Sequence, residues 1–433
     1  MKNKIMTFME EKVLAFGSKV ASQRHLAAIK DGMMLSIPFL IVGSIFLIIA
    51  NLPIASYMNY MQTDPQGMVF KQWLTYPVTA TFDMIAIISL LGISYNLAKS
   101  YNLNTIISVS LSFISFVLVT PLVHVVGDTT LIALSTKYTG SQGLFVAILI
   151  SLFSVEMYRI ITKKNIVIKM PESVPDAVSK SFAALIPAGI IVIILLAVKI
   201  GLEQTAFDNI HNVIATLLTE PLTKISGSFW GAIAIILFMQ IMWCCGIHGA
   251  AVVWGVMLPV LNVMMDANRV AFENGQAIPN ILTKEWFNVF VMIGGSGGTL
   301  GLVVLMVFFA KSTQLKEIGK LSIGAAIFNV NEPVLFGLPI VMNPVLMIPF
   351  IFGPVIVTMI SYGAMYFNVV ARVVTVVPFT MPVGIGGFLL TGGNISGAVL
   401  QIVNLLILTL IYYPFFKAYD KQLLNEENGI TSV

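Results

Sequence analysis

The chain has 433 residues, of which 57% are hydrophobic and only 10% charged, and its mean hydropathy is +0.92. Soluble domains carry about a quarter charged residues, so a single soluble globule is excluded, and the same apolar excess excludes disorder. The net charge of +4 implies no nucleic-acid-binding face, which leaves an all-α polytopic membrane protein.

The N-terminus, MKNKIMTFMEEKVLAF, is acidic as well as basic and has no small-residue cleavage site, so it does not read as a signal peptide. The segment 5–30 is amphipathic. Apolar stretches long enough to cross about 30 Å of hydrocarbon fall near 33–52, 81–98, 104–123, 142–160, 181–200, 229–245, 287–310, 342–366 and 397–416. Three further apolar segments, 246–265, 321–340 and 373–395, are interrupted by Gly, Pro, Asn and one carboxylate. Irregular backbone at membrane depth survives only where protein or a watery cavity covers it, so these segments are where a binding site is expected.

Lysine and arginine set the orientation. Six lie in the first 30 residues and five between Arg159 and Lys180, with further groups at Lys311–Lys320 and Lys417–Lys421. Placing these inside puts both termini in the cytoplasm and requires an even number of crossings, expected to be ten, plus re-entrant hairpins. The polar connection 201–228 has apolar residues at helical spacing, including Leu202, Phe207, Ile210, Val213 and Leu217. It reads as an amphipathic linker lying at an interface between an N-terminal domain, 1–200, and a C-terminal domain, 229–433.

Scarce polar groups mark the chemistry. Between Lys320 and Lys417 only Glu332 and Arg372 are charged. A carboxylate at membrane depth is costly unless paired or wetted, which makes Glu332 a functional candidate. Pro333 disfavours a helical conformation at Glu332, so the carboxylate is expected to project from irregular backbone. His248 lies in MQIMWCCGIHGAAVVWG. A lone His in such a run is often a packing residue, but Gly246 and Gly249 allow close backbone approach. Trp243 and Trp254 offer flat faces to a sugar ring, or else anchor at the interface. Gln240 and Asn331 are plausible hydroxyl partners, because amides both donate and accept.

The run GGSGGTLGL at 294–302 lacks the Lys-Ser or Lys-Thr pair and preceding strand of a phosphate loop. Tight helix packing through small residues is the expected role, with Thr299 and the amides around Gly298 available to a ligand. Asp83, following Tyr76 and Pro77, reads as a capping residue at the mouth of a span, and Glu156 with Arg159 as a local pair. Cys244 and Cys245 are adjacent and form neither a disulfide framework nor a metal-ligand spacing. No metal and no cofactor is expected.

Five segments taken together resemble enzyme IIC, the membrane component of bacterial phosphotransferase systems, in its lactose/cellobiose/diacetylchitobiose branch. They are SQRHLAAIKDGMMLSIPFLIVGS at 22–44, IKMPESVPDAVSKSFAALIPA at 168–188, GIHGA at 246–250, GGSGGTLGL at 294–302 and NVNEPVLFGLPIVMNP at 329–344. The resemblance implies a homodimer of ten-helix subunits with two re-entrant hairpins in the bacterial cytoplasmic membrane. It assigns dimer contacts to the N-terminal half and the sugar to the C-terminal half. It also implies a β-linked disaccharide, cellobiose or diacetylchitobiose before lactose, phosphorylated on its 6-hydroxyl by a separate soluble IIB. IIB carries the phosphoryl group on a cysteine and is charged by IIA upstream. By this resemblance the His and Glu near the 6-hydroxyl are His248 and Glu332. The chain alone is then a permease that phosphorylates sugar only jointly with IIB.

Family members often carry Trp where this chain has Phe379, in VPFTMPVGIGGFLLTGG, so specificity is where a departure is expected. From the residues alone, a proton-coupled sugar transporter with Glu332 and His248 as a relay explains the buried carboxylate equally well. An intramembrane hydrolase has no nucleophile elbow or zinc-ligand pair in its favour.

Overall fold

The computed structural model describes residues 23–52, 54–125, 131–171, 174–338, 340 and 343–428. The amphipathic segment expected at 5–30 lies outside the described residues up to position 22. Among the described residues, seven helices are long and apolar enough to cross a membrane: Arg24–Ala50, Pro65–Ser100, Ser141–Lys163, Val178–Glu203, Gly249–Glu273, Val345–Tyr366 and Ile395–Glu427. Ile210–Ser226 and Phe229–Cys244 meet at 80° and, taken as one broken span, raise the number to eight. The first of these two falls within the segment 201–228, read from the sequence as an amphipathic linker. Thr105–Val119 and Leu300–Phe309 are shorter apolar helices.

Helix starts follow the polar residues that precede them. Asn104, Ser228, Ser312 and Asn394 each cap the helix that follows, accepting a backbone N–H that has no intrahelical partner. Inside the bundle, glycine sets how closely helices approach. A Cβ on Gly32 would lie 2.3 Å from the Ile93 nitrogen, and one on Gly92 would lie 2.5 Å from the Gly32 carbonyl oxygen. Backbone contact of this kind is how helices gain packing energy without a hydrophobic driving force between them.

Three expectations need correction. The segment 246–265 is not broken along its length: the helix Gly249–Glu273 runs unbroken through Pro259, and the interruption falls before it, at 245–248. A buried proline is tolerated in a membrane helix when neighbours cover the freed carbonyl. Conversely, the span expected at 287–310 is broken. A π-helical turn, Phe287–Val291, leads into an irregular loop, and the helix resumes at Leu300. The cause is local, since Gly294, Gly295, Gly297 and Gly298 all have positive φ, a conformation that ends a helix and that L-residues avoid. The GGSGG run is thus a loop and not a helix-packing stripe. Finally, the region after Thr105–Val119 is not helical: Leu122–Val125 pairs antiparallel with Leu131–Leu134 in a small hairpin, Leu122 opposite Leu134.

The main apolar core runs from Met33 to Leu423 and joins both halves of the chain. A second cluster, centred on Leu90, Phe116, Val146 and Ile191, lies within the N-terminal half. Between the halves sits a charged knot. Arg269, buried in the helix Gly249–Glu273, donates to Asp266 at 2.8 Å, to Glu273 at 2.8 and 3.0 Å and to Asp83 at 2.7 Å. Asp83, expected as a cap, therefore holds a long-range partner. Glu156 forms the expected pair with Arg159 at 2.7 Å and also accepts from His25 Nε2 at 2.9 Å.

Candidate functional site

The three interrupted regions converge on one cavity of about 320 Å³. Its lining includes Trp243, His248, Trp254, Lys284, Asn288, Gly295, Ser296, Asn329, Asn331, Glu332 and Phe379. The volume lies in the range of roughly 300–1,000 Å³ common for small-molecule sites.

His248 stands where the chain turns between two helices. Gly246, with φ of +78°, makes the turn, and the His248 ring caps the next helix by accepting the Ala251 N–H at Nδ1, 3.1 Å. A ring nitrogen that accepts carries no proton, so the neutral ring holds its hydrogen on Nε2. His248 thereby offers a donor to a ligand. Its face is set by Trp243, whose ring centroid lies 4.3 Å away.

Glu332 is the first residue of a six-residue helix, Glu332–Gly337, with Pro333 behind it. The carboxylate is exposed to the cavity and makes no ion pair among the described residues. Two asparagines position it. Asn329, at φ of +60°, accepts the Gly294 N–H at 2.7 Å and donates to the carbonyls of Phe379 and Met381 at 2.7 and 3.0 Å. Asn331 donates to the Ser296 carbonyl at 2.6 Å and to Thr299 Oγ1 at 3.0 Å. These bonds fasten the glycine loop, the Glu332 turn and the Phe379 segment together. Both amide hydrogens of Asn331 are spent in this way, so only its carbonyl oxygen remains for a ligand.

Of the sequence-selected residues, the cavity brings together His248, Glu332, Trp243, Asn331 and Phe379. Gln240 is fully buried outside the lining, and its amide finds no protein partner among the described residues. Gly246, Gly298 and Thr299 also lie outside the lining. Gly298 packs against Leu408, and Thr299 donates to the Gly294 carbonyl at 2.8 Å. Among the polar lining residues, Lys284, Asn288 and Ser296 were not singled out by sequence. Lys284 begins a one-turn helix capped by Thr283. A lysine next to a glutamate inside an otherwise apolar stretch was the available signal.

A polytopic all-α bundle with one carboxylate, one imidazole and one ammonium gathered at broken helices is the architecture of a membrane permease for a polar solute. The chain belongs to the family Phosphotransferase system, EIIC, whose model matches residues 30–354. It is 44% identical to the PTS system cellobiose-specific EIIC component of Geobacillus stearothermophilus, over 99% of this chain and 97% of the relative. It is 43% identical to the lichenan permease IIC component of Bacillus subtilis, over 100% of this chain and 97% of that one. Among solved structures it is similar to ChbC, the IIC component from the N,N'-diacetylchitobiose-specific phosphotransferase system. That likeness has a TM-score of 0.93 and 46% identity, covering 98% of this chain and 100% of ChbC. The chain is accordingly the sugar permease subunit of a phosphotransferase system, a class that works with IIB and IIA partners.

Proposed function

We propose that the 320 Å³ cavity binds a β-linked disaccharide of the cellobiose or diacetylchitobiose class and presents its 6-hydroxyl to phosphorylated IIB. The observation that carries this reading is the meeting of Glu332, His248 and Lys284 with three aromatic faces in one cavity. The cellobiose and N,N'-diacetylchitobiose specificities of the relatives point to the same sugars.

In this reading Glu332 takes, or orients for transfer, the proton of the 6-hydroxyl as its oxygen attacks phosphorus. The O–P bond forms, the S–P bond to the IIB cysteine breaks, and the thiolate leaves. Such transfers depend on positioning and charge stabilisation. His248 donates from Nε2 to a sugar or phosphoryl oxygen, and Lys284 offsets the phosphoryl charge. Trp243, Trp254 and Phe379 cover the C–H faces of the rings. The smaller face of Phe379 tunes which disaccharide is preferred. The subunit works as a homodimer in the bacterial cytoplasmic membrane through its N-terminal domain, with both termini in the cytoplasm and the C-terminal domain carrying the sugar.

The test uses purified protein in vesicles, with labelled cellobiose, diacetylchitobiose and lactose offered separately, with and without phosphorylated IIB inside. Sugar 6-phosphate appearing only with the donor is the expected result. Unmodified sugar accumulating with a proton gradient, indifferent to the donor, would establish ion coupling instead.

A further inference from the structure

A second and larger cavity, about 940 Å³, lies at the other end of the helix that His248 caps. His248 stands before Gly249, and Glu273, the last residue of the same helix, lines the second cavity. At 1.5 Å per residue the separation is about 36 Å, more than the roughly 30 Å hydrocarbon thickness. The helix pair Arg24–Ala50 repeats the arrangement, with Met34 at the first cavity and Asn51 at the second. The two cavities therefore open towards opposite faces of the membrane. Lys30 packs beside Gly255, in the first third of the helix that His248 caps. The lysine-rich side is thus that of the first cavity, and the second faces outward.

The outer cavity holds polar groups that the fold does not use. The side chains of Gln62, Lys71 and Gln276 make no hydrogen bond or ion pair among the described residues. Arg372, which stood out in the sequence as one of two charges in a long apolar region, donates through Nη1 to the carbonyls of Ile278 and Pro279 at 2.7 and 3.0 Å. Its Nε is buried without a partner, and its Nη2 makes no hydrogen bond among the described residues, so that nitrogen is left for a ligand. Phe272 adds an aromatic wall. Amides, which donate and accept, beside an aromatic face suit vicinal hydroxyls better than a simple anion, and Glu273 on the same wall opposes an anion. The walls come from both halves, Gln62 and Lys71 from one and Gln276 and Arg372 from the other.

We infer that this outer cavity is a docking site for β-linked oligosaccharides, where sugar is gathered before it reaches the inner cavity. Its volume is nearly three times that of the inner one, so it accepts chains longer than the transported disaccharide. The inference rests on the sugar specificity proposed above, and its test is read without transport.

Met58 lines the cavity, and the chain's own Cys244 and Cys245 are buried. Met58→Cys is therefore a clean reporter for a membrane-impermeant maleimide applied outside intact vesicles. Cellotetraose or chitotetraose outside should slow labelling, and Lys71→Ala with Gln276→Ala should weaken the apparent sugar affinity roughly five- to tenfold, as losing one or two hydrogen bonds does. Protection should persist when Glu332→Gln is combined with the reporter. Failure of Met58→Cys to label from outside would overturn the inference. So would labelling indifferent to both tetrasaccharides, or protection that depends on Glu332. If neither cellobiose nor diacetylchitobiose is transported yet the tetrasaccharides protect, the outer site stands and the transport reading falls.

Discussion

At the scale of single residues, the cavity separates groups left free for a ligand from groups that hold those groups in place. Glu332 has no ion-pair partner among the described residues and faces the cavity. Glu332→Gln keeps the shape and removes proton acceptance. Phosphorylation-coupled uptake is expected to fall by about 10²-fold or more, the usual contribution of general acid–base catalysis, while the thermal midpoint in detergent stays unchanged. Lys284→Gln should lower the rate of sugar phosphate formation more than it weakens sugar binding, because in the proposed role Lys284 meets charge that arrives with the phosphoryl group. Equal losses in both would assign Lys284 to binding alone. His248→Ala should weaken binding or phosphorylation without dissociating the subunit assembly, as read by size-exclusion chromatography beside sugar titration. Asn331→Ala should behave differently from all three. It leaves the Ser296 carbonyl without its partner and takes one of the Thr299 hydroxyl's two hydrogen bonds, costing about 2 kcal/mol, and should appear as a lower thermal midpoint together with lost binding.

At the scale of elements, the glycine loop carries the sharpest prediction. Gly295 has φ of +94°, and a Cβ there would lie 2.4 Å from the Asn331 side chain. Gly295→Ala should therefore abolish sugar binding by displacing Asn331 and Glu332, whereas Gly324→Ala, where a Cβ meets open space, should bind as the unaltered chain does. Much of the element order was legible because apolar length is decisive in a bilayer: each of the nine spans read from the sequence coincides with a helix or, at 287–310, a broken one. The helix Pro65–Phe82 escaped notice because Gln66, Lys71, Gln72 and the internal Pro77 dilute its apolar run. The hairpin at 122–134 escaped because short apolar strands are indistinguishable from a helix end by periodicity. Within the site, Glu332 stood out by the cost of its setting and His248 by the glycines and tryptophans that flank it. Asn329 and Asn331 as fasteners were not, because their partners lie 32 to 52 residues away and only the fold brings them close.

At the scale of the whole molecule, the knot around Arg269 joins the halves through Asp83. Arg269→Met leaves Asp83, Asp266 and Glu273 facing one another without a cation. Removing one partner of a buried charge set costs about 3–5 kcal/mol, so the thermal midpoint should fall markedly. Arg269→Lys should recover only part of the loss, because an ammonium lacks the planar fork that serves three carboxylates. An unchanged midpoint in Arg269→Met would show that the halves are held by the shared apolar core alone.

Between the two cavities the chain from Val373 to Val377 is buried residue by residue. It is tied to the other half where Ser44 Oγ accepts the Val376 N–H at 2.9 Å. Four valines and one threonine, the threonine's hydroxyl spent on the Leu389 carbonyl at 2.8 Å, leave no side chain there to relay a proton. For a cell the consequence is bioenergetic. While it stays closed, this stretch offers protons no side chain to ride, so any leak of proton-motive force through the permease has to take another path.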